Sequence, residues 1–223
     1  MHLYLVRHGQ SYVNLSPLPQ SNADEPLTET GQQQTAALAQ WLPGILPHVE
    51  VIYSSTLRRA METAKPLAQL YGLTIHPDER LREIGCNRQD HTPLSNHSLP
   101  PYADFWSSER PFSSITPAIE QGESLMHFRT RVGAFLEGLW PQHKDQSLLV
   151  VTHSRVIEMI FDHAFNVGPW RRCEVETQHT ALTHFEVLPQ PRPEMWRLHR
   201  HNCTDHLAAL PGERPGTRPT AQG

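Results

Sequence analysis

The hexapeptide Ser147-Leu-Leu-Val-Val-Thr152 narrows more than any other segment what this chain can become. Successive side chains of a strand point to opposite faces, so four large apolar residues in a row leave neither face for water. Such a strand needs helices packed on both sides, the environment of an interior parallel strand. Weaker strand candidates lie at residues 2–6, 49–53, 181–188 and 195–199. Helical periodicity fills the intervals between them. Thr28 is placed to cap a helix over 32–42 that stops at Pro43-Gly44. Residues 56–71 repeat apolar side chains at Leu57, Ala60, Met61, Ala64 and Leu67, with Gly72 as a stop. Pro66 is expected to bend or break that helix. Residues 124–139 align Leu125, Phe128, Val132, Phe135, Leu136 and Leu139, and a fourth helix is expected from Ser154 onward. Strands alternating with helices predict an α/β fold, a three-layer α/β/α sandwich with a mostly parallel central sheet.

A length of 223 residues suits one such domain, read here as residues 1–210. Two segments depart from the rhythm. Residues 87–121 are rich in Pro and Ser and carry Tyr102, Phe105, Trp106 and Phe112, the composition of a cap-like insert. Residues 211–223 hold three Pro and three Gly and read as a disordered tail. With 19 Lys+Arg against 23 Asp+Glu the net charge is -4, which argues against a nucleic-acid partner yet allows a local anion pocket. No apolar run reaches membrane-spanning length, so no membrane partner is expected. The first residues lack the pattern of a secretory leader, and Cys86, Cys173 and Cys203 are too few and too scattered for a disulfide framework. A cytoplasmic location is expected. A homo-oligomer is left open.

The chain has 15 histidines, and two of them stand where chemistry is done. Arg7-His8-Gly9 follows the first strand, and Thr152-His153-Ser154 follows the strongest one. Ligands of an open α/β sheet bind beyond the carboxyl ends of its strands, so histidines at two such ends can share a pocket. Arg7 offers a guanidinium fork suited to phosphate, and Gly9 permits close backbone approach. A third strand end turns into a helix at Ser55-Thr56-Leu57-Arg58-Arg59 and brings arginine toward the same region. Leu81-Arg82-Glu83-Ile84 adds a carboxylate.

These pieces resemble the histidine phosphatase superfamily, the phosphoglycerate mutase-like enzymes. The likeness runs through Leu5-Val6-Arg7-His8-Gly9-Gln10-Ser11 with Asn14, Leu27-Thr28-Glu29-Thr30-Gly31, and Ser54 through Ala64. It continues through Leu81-Arg82-Glu83-Ile84, Gly122-Glu123-Ser124 and Val150-Val151-Thr152-His153. The resemblance implies a phosphoglycerate mutase-like fold and a phosphomonoesterase acting on a small phosphorylated metabolite, with no cofactor and no metal. It implies His8 as the nucleophile, and Arg7, Arg58, His153 and Asn14 around the phosphate oxygens. Glu83 would be the proton donor and then the base for water. Ser154 stands where many relatives have glycine, and its hydroxyl is placed to cap the helix or touch substrate. Arg59 is read as a solvated or ion-paired helix residue.

The alternatives are a phosphoglycerate-type mutase and a catalytically inactive relative serving as a binding or regulatory module. The short insert after Glu83 favours the phosphatase over the mutase, and the intact set Arg7, His8, Arg58, Glu83 and His153 speaks against inactivity. His199, His201, Cys203 and His206 form the densest His/Cys group, but their spacing is not that of a structural zinc site.

Overall fold

In the computed structural model, the described residues are 1–15, 24–84, 123, 125–168, 173–189, 195–208 and 210. The segments read as a cap (87–121) and as a tail (211–223) lie outside them. Six strands form one sheet in the order β3-β2-β4-β1-β5-β6. They are β1 (His2–Arg7), β2 (Val51–Ser55), β3 (Ile75–Asp78), β4 (Ser147–Thr152), β5 (Leu182–Val187) and β6 (Trp196–Cys203). β1, β2, β3 and β4 run parallel, while β5 and β6 add on antiparallel beyond β1. The four helices are α1 (Glu29–Ile45), α2 (Arg58–Tyr71), α3 (Leu125–Leu139) and α4 (Ser154–Ala164).

The apolar run in β4 does what its composition demands. Leu148 and Val150 join Leu3 and Leu5 of β1 in a core closed by Phe128, Val132 and Phe135 of α3 and by Val156, Ile157 and Ile160 of α4. Leu149 and Val151 join Val6 and Ile52 in a second core closed by Leu38 and Leu42 of α1 and Ala60, Ala64 and Leu67 of α2. Two cores on opposite faces make the expected α/β/α sandwich. The parallel register between β1 and β4 pairs Leu3 with Leu148, Leu5 with Val150 and Arg7 with Thr152. That match puts both apolar faces in step and ends the two strands at the same level.

Local expectations fared unevenly. Thr28 caps α1, its hydroxyl accepting from the Gly31 N–H at 3.0 Å. The helix begins at Glu29 and runs through Pro43 to Ile45, one turn earlier and three residues later than expected. α2 likewise runs through Pro66 without a break. Proline removes one i→i−4 bond, and the buried stripe of Ala60, Ala64, Leu67 and Ala68 holds α2 on the sheet regardless. Strand β3 escaped the sequence reading because Ile75-His-Pro-Asp78 has no alternation. Its pairing with β2 makes it an edge, where a proline is tolerated. No helix among the described residues is long and apolar enough to cross a membrane.

The C-terminal histidines and cysteine disperse instead of converging. His199 meets Glu186 at 2.9 Å, His201 bonds the Thr183 hydroxyl and the Glu176 carbonyl, and His206 bonds the Thr180 hydroxyl at 2.9 Å. Among the described residues no three His, Cys, Asp or Glu side chains are grouped to hold a metal ion. Several histidines are instead packed as neutral rings. His184 is stacked between Tyr4 and His199, with ring centroids 4.1 and 4.5 Å away.

Burial lowers the pKa of His184 to about 4, helped by the charges of His199 and His2, and burial lowers that of His206 to about 4 as well. Below pH 6.5 the unfolded chain therefore binds protons that the folded chain refuses, so stability is full above pH 6.5 and falls as pH drops toward 4. Urea unfolding at pH 7.5 and pH 5 should show a loss of about 1–2 kcal/mol from these two groups, after allowance for solvent screening. His184→Phe should remove part of that pH dependence.

Candidate active site

The register of β1 and β4 decides where the site forms. His8 and His153 are the first residues beyond the paired Arg7 and Thr152, and the His8 N–H donates to the Thr152 carbonyl at 2.9 Å. The two imidazole rings stand with centroids 5.0 Å apart. Both histidines are buried, at 3% and 0% exposure, at a level of the sheet where backbone pairing stops.

The loop carrying His8 is pinned by two helices, α1 and α2. The Gly9 N–H donates to the Thr63 hydroxyl of α2 at 3.0 Å, and the Gln10 N–H donates to Gln34 of α1 at 2.8 Å. Gly9 lies against the first turn of α1 so closely that an added Cβ would stand 2.6 Å from the Gly31 carbonyl oxygen. The close approach that requires glycine is thus to α1. His8 Nδ1 lies 2.7 Å from the Gly9 carbonyl. A carbonyl can only accept, so Nδ1 carries the proton and Nε2 keeps its lone pair. Burial, then the charges of Arg59, His153, Arg7 and His179, holds the His8 pKa well below its ordinary value. The ring is therefore neutral, as a nucleophile must be.

Four of the sequence-predicted residues, Arg7, His8, Glu83 and His153, come together. Arg7 is held by the segment before β5: one guanidinium nitrogen donates to the Thr177 carbonyl at 2.6 Å and another to His179 Nε2 at 3.0 Å. Burial lowers its pKa to about 10, so it stays charged near neutrality. His153 Nε2 bonds the Ser55 hydroxyl at the end of β2 at 2.8 Å, while its buried Nδ1 has no hydrogen-bond partner among the described residues. Glu83 is 9% exposed, and burial raises its pKa against the opposing pull of the Ile84 N–H and of Arg59, Arg155 and Arg7. A carboxyl whose protonated form is favoured by burial, in the same site as a neutral imidazole, can pair an acid with a nucleophile.

Arg58 is corrected by the structure. Its side chain is 58% exposed and pairs with Glu62 on the outer face of α2, Nε to Oε1 at 2.7 Å. The arginine that enters the pocket is the next residue, Arg59. It is 2% exposed, and among charges it acts most strongly on both His8 and His153. Consecutive helix positions point about 100° apart, so only one of the two can face the strand ends. The signal was available in the sequence. Arg58 and Glu62 stand at i,i+4, a surface ion pair, whereas Arg59 shares its face with Thr63, whose hydroxyl donates to the Arg59 carbonyl at 2.8 Å.

Asn14 serves the backbone in this structure, and Ser154 does not cap its helix. Asn14 is exposed, and its Oδ1 accepts from the Ser11 N–H and the Ser11 hydroxyl, both at 2.9 Å, closing the turn that follows the His8 loop. Ser154 is the first helical residue of α4. The cap position falls on His153, and no side chain caps that end. The positive end of the α4 dipole is thus left facing the strand-end pocket, as suits an anion.

His179 belongs to the site and was not among the expected residues. Its ring is 5.8 Å from that of His8, and because Arg7 can only donate, His179 Nε2 must accept. Thr180, next to it, has φ +54°, a left-handed conformation that a β-branched residue rarely adopts. It is held there by His206 at 2.9 Å and by its own N–H donating to the Arg7 carbonyl at 2.9 Å. No local pattern in a single sequence announces such a turn.

Two arginines, two neutral histidines, a carboxyl with a raised pKa and an uncapped helix end gather at the carboxyl ends of β1 and β4, an arrangement suited to a phosphate group and to an enzyme of the phosphatase class. The model of the histidine phosphatase superfamily (branch 1) matches residues 3–204, and the chain belongs to that family. It is 31% identical over 208 residues to a protein of Yersinia pestis (strain Pestoides F) named probable phosphoglycerate mutase GpmB, covering 93% of this chain and 95% of that one. Among solved structures it is similar to a phosphoserine phosphatase from Entamoeba histolytica in complex with phosphoserine, at 26% identity and TM-score 0.70 over 92% of this chain and 98% of that one. It shares its fold with a mycobacterial glucosyl-3-phosphoglycerate phosphatase, at 24% identity and TM-score 0.68, over 90% of this chain and 98% of that one.

The placement of the two arginines makes a direct prediction. Arg59→Met should weaken binding of inorganic phosphate by about 10- to 100-fold, the scale of a lost charged hydrogen bond. Arg58→Met should change it by less than about twofold, as for an exposed pair. Calorimetric titration of the two variants decides between them.

Proposed function

We propose that the protein hydrolyses a small phosphate monoester through a phosphohistidine on His8, within the reducing interior of the cell. The observation that carries this reading is the His8 Nδ1–Gly9 carbonyl bond of 2.7 Å, which leaves Nε2 as the free nucleophilic atom beside two arginines and a protonatable Glu83. In the first step Nε2 attacks phosphorus, the P–N bond forms, and the ester P–O bond breaks. Glu83 gives its proton to the departing oxygen. In the second step the Glu83 carboxylate takes a proton from water, the water oxygen attacks phosphorus, and the P–N bond breaks to release phosphate. Arg7, Arg59 and the α4 N-terminus hold the equatorial oxygens, where charge stabilisation does most of the work of phosphoryl transfer. His153, neutral when the pocket is empty, lies beside His8 where it can hydrogen-bond the same group.

The related phosphoserine phosphatase has been captured with phosphoserine and with 3-phosphoglyceric acid, so three-carbon phosphate esters bearing a carboxylate are the first to try. The relative named a probable phosphoglycerate mutase supports a second reading, in which the phosphoryl group returns to another hydroxyl of the substrate. Net release of phosphate without a bisphosphorylated primer separates the first from the second. Quenching in alkaline detergent after brief incubation with a labelled ester should trap a phosphoenzyme in the wild type, with the label lost on later acid treatment, and none in His8→Ala. Persistent turnover by His8→Ala sinks the mechanism.

Glu83 must be protonated for the first step, so kcat/KM should fall as pH rises through its elevated pKa. Glu83→Gln should slow alkyl phosphates by about 100-fold or more while nitrophenyl phosphate, whose leaving group needs no proton, loses far less. Equal losses on the two esters contradict the role given to Glu83.

A further inference from the structure

Glu123, in the Gly122-Glu123-Ser124 motif, takes no part in the chemistry proposed above, yet its side chain is only 1% exposed. It binds Arg131 of α3 with both carboxylate oxygens, Oε1 to Nε at 2.7 Å and Oε2 to Nη2 at 2.8 Å. The remaining N–H groups of the same guanidinium all reach one stretch of backbone. Nη1 donates to the carbonyls of Arg80 and Arg82, each at 2.8 Å, and Nη2 donates to the carbonyl of Glu83 at 3.2 Å. Five donors thus have five acceptors, the full complement of a guanidinium.

The stretch they grip begins inside the 3-10 turn Glu79–Leu81, continues as loop, and belongs to no strand. The Leu81 carbonyl is taken by the Thr152 hydroxyl at 2.8 Å, one residue before His153. Four consecutive carbonyls, 80 to 83, are therefore each bound by a side chain from α3 or from the end of β4. Among the described residues Glu83 Oε1 accepts from the Ile84 N–H at 2.9 Å. The height and direction of its carboxyl above the pocket are therefore set by the backbone that Arg131 clasps. Phe128, one turn earlier in α3, lies under the guanidinium with its ring centre 4.7 Å from Arg131 Cζ, and restricts its motion further.

We infer that Glu123 and Arg131 form a positioning device for the proton-donating Glu83, acting through the backbone of residues 80–83. Glu123 orients the guanidinium and balances its buried charge, and Arg131 transmits that fixed geometry to the acid. The inference rests on the role proposed for Glu83. Lysine cannot reproduce the fork, so Arg131→Lys keeps the charge and releases the backbone. A misplacement on the order of 1 Å can cost about 100-fold in a catalytic step.

The test compares an alkyl phosphate with nitrophenyl phosphate in Arg131→Lys, Glu83→Gln and the double variant. Arg131→Lys should lose about 10- to 100-fold on the alkyl ester and less than about threefold on the nitrophenyl ester, with phosphate inhibition unchanged. Added to Glu83→Gln, it should cause no further selective loss, because the acid it positions is already gone. Equal losses on both esters, or full additivity in the double variant, overturn the inference while the selectivity of Glu83→Gln preserves the role of Glu83. If Glu83→Gln is itself unselective, that role fails and the inference with it. Should Arg131→Lys not fold, Glu123→Gln, which keeps one acceptor and nearly the same shape, is read by the same ratio.

Discussion

Strand β4 has no face open to water, and its in-register pairing with β1 is the constraint from which the rest follows. The pairing of Leu3 with Leu148 and Leu5 with Val150 fixes which residues face α3 and α4. It thereby fixes where the two strands end. A shift of one residue would turn every apolar side chain to the wrong layer, so the register is held by both cores at once. His8 and His153 inherit their closeness from that register. The chemistry is placed by hydrophobic packing several residues away from it.

Electrostatics then works against the histidines in a productive sense. Burial and nearby arginines keep His8 and His153 neutral, while burial raises Glu83 in spite of those same arginines. An empty pocket with this balance holds surplus positive charge, which a dianionic phosphate group neutralises. The net charge of -4 over the whole chain gives no hint of it, because the arginines that matter are few and face inward.

Much of this was legible from the residues alone. The sandwich could be read because β4 and the helix stripes obey simple periodicities, and the meeting of Arg7, His8 and His153 could be read because motif and strand end coincide, whereas Glu83 lies in a loop and was given its role by the family resemblance alone. Arg58 and Arg59 were exchanged because adjacent residues in one motif differ only in helix phase, and the phase was set by Glu62 and Thr63 and not by the motif. His179 was missed since its link to Arg7 spans 172 positions and runs through an irregular turn. Pro43 and Pro66 misled for a related reason: proline removes one local bond, but tertiary packing supplies more than that bond was worth. Strand β3 was invisible because edge strands need no alternation.

Thr180 carries a consequence for anyone who would make this protein sturdier. A β-branched residue at φ +54° stores strain of about 1–3 kcal/mol, and glycine or asparagine at that position would release it. Yet the same turn presents His179 and the Thr177 carbonyl to Arg7, and its stiffness is what keeps the guanidinium aimed. Thermal robustness and a well-aimed arginine draw on the same few torsion angles, so selection for a higher melting temperature would reach this turn early and trade catalytic alignment for it.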